Sequence, residues 1–61
     1  MKHEDVLPGM RVVIAFGGSQ FAGMTGTILD KLKGPTGYWR VVLEGFEAPQ
    51  RFSPRALELA S

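Results

Sequence analysis

Ser53-Pro54-Arg55-Ala56-Leu57-Glu58-Leu59 is the stretch on which the fold turns. Ser53 is suited to cap a helical turn, and Pro54 falls at the first helical position, where its missing N–H removes no hydrogen bond. The turn has no room to grow, because Leu57-Glu58-Leu59 alternates with a period of two, the signature of a short strand. One helical turn followed directly by a closing strand is therefore expected at the end of a chain that otherwise reads as strands. Working outward, Tyr38–Leu43 sets Trp39, Val41 and Leu43 against Tyr38, Arg40 and Val42. Residues 10–16 place Met10, Val12, Ile14 and Phe16 on one face. Thr25–Leu32 carries Gly26, Ile28 and Asp30 on one face and Thr27, Leu29 and Lys31 on the other. Breaks separate these runs at Gly17-Gly18-Ser19, at Lys33-Gly34-Pro35-Thr36-Gly37 and at Glu44–Pro49, and Gln50-Arg51-Phe52 supplies one more short strand.

The spacing predicts an all-β fold: a small five-stranded SH3-like barrel with one short 3-10 turn before the last strand. Closing the sheet removes most of its exposed edge. No stretch has ten residues of helical periodicity, and there is no repeat or linker. Residues 1–7 are expected to be a flexible N-terminal tail and residues 8–61 the barrel domain.

Composition narrows the function classes. The chain has 61 residues, 44% hydrophobic and 21% charged, with eight Gly, four Pro and no Cys. A core of this size is marginal, and neither disulfides nor a cysteine zinc site can staple it. Stability must come from compact packing or from association. Seven Lys and Arg against six Asp and Glu give a net charge of +1, far from the excess typical of nucleic-acid domains. No apolar run approaches the ~20 residues of a membrane span, and the N-terminus lacks the apolar core of a signal peptide. The cytoplasm is the expected compartment.

Few residues suggest catalysis. Ser19, Ser53 and Ser61 have only His3 as a possible imidazole partner, and Gly17-Gly18-Ser19 lacks the Gly-Lys-Ser/Thr ending of a phosphate loop. His3-Glu4-Asp5 offers three consecutive donors, a poor chelate, so no metal is expected. Arg11, Arg40, Arg51 and Arg55 with Lys31 and Lys33 can form either a basic stripe or, interleaved with Asp30, Glu44, Glu47 and Glu58, a mixed solvated surface. Tyr38 and Trp39 are neighbours on a strand and must face opposite ways, so Trp39 is expected in the core or an interface, with Tyr38 available to a partner.

Two resemblances bear on function. Gly9-Met10-Arg11-Val12 followed by Phe21-Ala22-Gly23-Met24-Thr25-Gly26-Thr27-Ile28 resembles a KOW motif, found in ribosomal and transcription-elongation proteins. Its glycines are expected to turn a corner with positive φ between two strands. The resemblance implies an RNA- or ribosome-associated module holding phosphates with Arg11, Lys31, Lys33 and Arg40.

The second pattern runs from Phe21 to Glu58, 38 of the 61 residues. Phe21-x-Gly23, Pro35-Thr36-Gly37-Tyr38, Gln50-Arg51-Phe52 and Ala56-Leu57-Glu58 are similar to the plasmid-type (type II) dihydrofolate reductases, which are SH3-like barrels catalytic only as tetramers. That family implies a central pore in which NADPH and dihydrofolate meet, lined by a Val-Gln-Ile-Tyr strand. A single ~60-residue barrel is not expected to enclose a ligand-sized pocket of ~300–1,000 Å³, whereas a symmetric assembly can. Gln50 matches the glutamine that contacts both ligands in the family. Phe52 stands for the tyrosine, Arg51 for the isoleucine, Pro49 for the valine and Phe21 for an interface tryptophan, and Val12–Phe16 lacks the expected lysine.

Three expectations follow. The first is a binding or assembly module, a self-associating relative of this scaffold with Tyr38, Gln50, Arg51 and Phe52 on its contact face. The second is an active, trimethoprim-insensitive, tetrameric reductase, in which Gln50 orients both rings, Phe52 packs on NADPH and Arg51 supplies cationic help. The third is the KOW-like module.

Overall fold

The computed structural model describes residues 2–15, 20–34 and 37–60. Phe16, the Gly17-Gly18-Ser19 break, and Pro35 and Thr36 of the turn signal lie outside the described residues. Five antiparallel strands form one sheet: β1 Arg11–Ile14, β2 Thr25–Lys31, β3 Trp39–Leu43, β4 Gln50–Phe52 and β5 Leu57–Leu59. A 3-10 turn, η1, spans His3–Asp5, and a second, η2, spans Pro54–Ala56 between β4 and β5. The strand order is β4-β3-β2-β1-β5, so β1 to β4 run as a meander and β5 returns to the far side of β1. This is the small all-β, five-stranded, barrel-like fold expected from the sequence, with its 3-10 turn before the last strand.

Inner faces follow from alternation. Val12 and Ile14 of β1, Ile28 of β2, Trp39, Val41 and Leu43 of β3, Phe52 of β4 and Leu57 of β5 are all buried, with Met10, Phe21 and Ala56 packed against them. Full burial of one such side chain contributes about 1.5–3 kcal/mol. At η2, Ser53 accepts a hydrogen bond from the Arg55 N–H at 3.3 Å, and the Leu57 N–H donates to the Pro54 carbonyl. The Ala15 N–H donates to the Ala56 carbonyl at 2.7 Å, which ties this turn to the end of β1.

Three details differ from expectation. The alternation of β2 does not run through: Ile28 pairs with Val41 but Asp30 pairs with Arg40, so Leu29 is an extra residue in the ladder. This bulge moves Asp30 off the face of Ile28 and onto the outer face beside Arg40. Among the KOW-like glycines, Gly9 and Gly23 have φ of +87° and +86°, but Gly26 does not have positive φ. Gly26 is required by the close approach of β3. Finally, Val6, assigned to the tail, is only 2% exposed and belongs to the core cluster, so the core draws on the segment before residue 8.

Candidate functional site

The register of β3 with β4 decides which expected site residues can act together. Trp39 pairs with Phe52, Arg40 with Arg51, and Val41 with Gln50. Side chains of paired residues share a face, so Gln50 and Phe52 lie on the inner side with Val41 and Trp39. Arg51 lies on the outer side with Arg40. Gln50, Arg51 and Phe52 were expected on one contact face, but a strand turns neighbouring side chains to opposite faces. The structure thus separates Arg51 from Gln50.

Phe52 is 7% exposed, its ring edge-on to Phe21 at 5.7 Å between centroids, and Phe21 is in turn edge-on to Phe46 at 5.6 Å. Such pairs add to area burial and hold the rings in place. In this chain the Phe52 ring is therefore committed largely to the core. Gln50 is half-buried, and its amide Nε2 donates to the Ala48 carbonyl at 3.5 Å, the limit of a hydrogen bond. Trp39 is buried, and Tyr38, on the opposite side, is 41% exposed.

The outer face carries a row of charges. Asp30 of β2, Arg40 of β3 and Arg51 of β4 are successive cross-strand partners. Two arginines directly opposed repel each other. Asp30 answers this by binding Arg40 at two points, Nε to Oδ1 at 2.6 Å and Nη2 to Oδ2. The Arg40 hydrogen bond holds the Asp30 carboxyl below its ordinary value of 3.8, and the same bond raises Arg40. On the far side of the sheet's centre, Arg11 pairs with Glu44 at 2.6 Å. Of the four cations expected to hold phosphates, Arg11 and Arg40 are therefore occupied by carboxylates, while Lys31 and Lys33 are exposed.

Arg51 and Arg55 form no salt bridge among the described residues. Both line a groove of about 530 Å³ between β4 and η2, together with Tyr38, Phe52, Ser53 and Ala56. Local chain direction explains the convergence. β4 ends at Phe52, Ser53 caps the turn, and one turn of 3-10 helix around the buried Pro54 brings Arg55 back toward Arg51. The groove thus brings Tyr38, Arg51 and Phe52 together and leaves Gln50 out. It adds Arg55, which the sequence suggested only as part of a basic stripe. The signal for Arg55 was its place in a one-turn helix four residues after Arg51. A concavity of ligand size therefore exists on a single barrel, as an open groove rather than an enclosed pore. No family model, curated protein or solved structure gives a significant match to this chain.

Proposed function

We propose that the chain is a small non-catalytic binding and assembly module, on a barrel that resembles the type II dihydrofolate reductase scaffold, with the β4–η2 groove as its contact face. The supporting observation is convergence: Tyr38, Arg51 and Phe52 line one groove with Ser53, Arg55 and Ala56. Tyr and Arg around an apolar floor are the residue types that carry most interface energy. Self-association belongs to the same reading. Leu7, Leu29 and Leu59 are exposed, Leu59 by 62%, and none of them lines the groove, so apolar area for a second copy lies elsewhere on the barrel. Light scattering on a size-exclusion column at micromolar concentration tests this. A mass above one chain that falls to one chain in Leu59→Asp supports the assembly half. A monomer at every concentration removes it.

The second reading is the type II-like reductase, favoured by the weakly held amide of Gln50. There Gln50 would orient NADPH and dihydrofolate in a pore shared by four chains, with Arg51 on the opposite side of β4 from it. Oxidation of NADPH by dihydrofolate, persisting under trimethoprim and lost in Gln50→Ala, is the expected result. Activity that survives the substitution eliminates the role of Gln50, and a monomeric chain eliminates the pore.

A further inference from the structure

We propose that the β4–η2 groove recognises an acidic, aromatic-bearing extended peptide of a partner protein, with Arg51 and Arg55 together reading its carboxylates. This rests on the groove being the contact face and adds the chemistry that it selects.

The chain carries a net charge of +1 and four arginines. Arg11 and Arg40 are neutralised by Glu44 and Asp30, and Arg51 and Arg55 converge on one groove whose lining contains no carboxylate among the described residues. Two guanidinium groups sharing a depression repel each other, and the repulsion grows as an occupant displaces water. A neutral occupant also strips water from both cations without replacing it. An occupant bearing carboxylates turns both costs into charge-assisted, forked hydrogen bonds. The same lining includes apolar Phe52 and Ala56 and the half-exposed ring of Tyr38, which suits an aromatic side chain set among the acids.

Shape and charge number select a peptide over other anions. Two cations neutralise about two phosphates, well short of the six to ten contacts that drive strong nucleic-acid binding, and Lys31 and Lys33 do not line the groove. An open groove covers one side of its occupant, whereas small metabolites are held by pockets that bury about 70–90% of their surface. Strand β4 is the outermost of the sheet, paired among the described residues with β3 alone, so an extended segment can lie along it.

The test is a titration of the ¹⁵N-labelled full chain with the capped pentapeptide Glu-Phe-Glu-Phe-Glu, its counterpart Gln-Phe-Gln-Phe-Gln, and inorganic phosphate, read in amide spectra. The acidic peptide should shift Arg51, Ser53, Arg55 and Ala56 and bind about tenfold or more tightly than the glutamine peptide. That preference should vanish in Arg51→Gln/Arg55→Gln and persist in Lys31→Gln/Lys33→Gln. All four side chains are exposed, so both variants should keep the fold, which the spectra themselves report. Equal binding of both peptides in the groove overturns the charge selection and leaves the groove as contact face. Shifts confined to other strands overturn both. Phosphate matching the acidic peptide shows a small-anion site and overturns the peptide. If the same groove shifts arise on concentrating the free chain and the peptide does not compete, the occupant is a second copy. If neither peptide shifts any amide, the inference fails, and the light-scattering result still stands on its own for assembly.

Discussion

Gly26 shows how one residue type can answer two different physical demands in one chain. A Cβ built on it would lie 2.7 Å from the Val42 carbonyl oxygen, 2.8 Å from Val41 Cγ1 and 3.1 Å from Leu43 Cδ2. The nearest of these atoms is backbone of the adjacent strand and cannot retreat without opening the ladder from β2 to β3. Gly26→Ala should therefore cost about 1–3 kcal/mol, as overpacking does. Denaturant unfolding measures it, and a midpoint equal to wild type would disprove the steric account. At Gly23, φ is +86° and nothing lies within 4 Å of a built Cβ, so the demand there is purely conformational. In the sequence the two glycines look alike, because spacing records where a side chain is missing and not why. Arg51 makes the same point at the groove. Its position on a strand was legible, but its lack of a carboxylate partner among the described residues depends on where the carboxylates, Asp30 and Glu44 among them, end up.

At the scale of elements, the bulge in β2 does the most to organise the outer surface. One extra residue, Leu29, changes the phase of the strand and delivers Asp30 to Arg40. An alternating pattern is compatible with either phase beyond Ile28, so the strand was legible and its bulge was not. The pair carries a definite pH signature. The Arg40 hydrogen bond depresses the Asp30 carboxyl below 3.8 in the folded state. A folded value below the unfolded one means that the stabilisation is complete above the unfolded value and is lost as pH falls through the folded one. Thermal melts of wild type and Asp30→Asn should thus differ at neutral pH, by a small margin because both partners are partly exposed, and converge on acidification below the ordinary carboxylate range. A gap that stays constant with pH would count against the pair. By contrast η2 was legible in full, since a Ser cap, a Pro at the first turn and an immediate switch to alternation are all local signals.

The molecule as a whole spans 26 × 22 × 22 Å, and at this size each buried side chain is a large share of the core. Val6 is one of nine buried hydrophobics among the described residues, although it precedes the first strand. Val6→Ala should cost about 2 kcal/mol from lost transfer energy and the cavity left behind. For a chain this short that is a large part of a total near 3–9 kcal/mol. Leu7→Ala, at an exposed neighbour, should change stability by no more than about 0.5 kcal/mol. Equal effects of the two in thermal unfolding would show that the N-terminal segment does not contribute to the core.

Strand positions, their inner faces up to the bulge in β2, and the helical turn before β5 were already decided by the chain's local pattern. Alternation and capping act between residues two or three apart, and the turn residues separate the runs whatever the rest of the chain does. The burial of Val6, the phase change at Leu29, the steric need for Gly26 and the convergence of Arg51 with Arg55 and Tyr38 were decided by the folded barrel. Each of these depends on which strand or turn lies alongside, and such pairings join residues far apart in the chain. The groove belongs to this second group: its arginines form no salt bridge among the described residues, while Asp30 and Glu44 are held by Arg40 and Arg11.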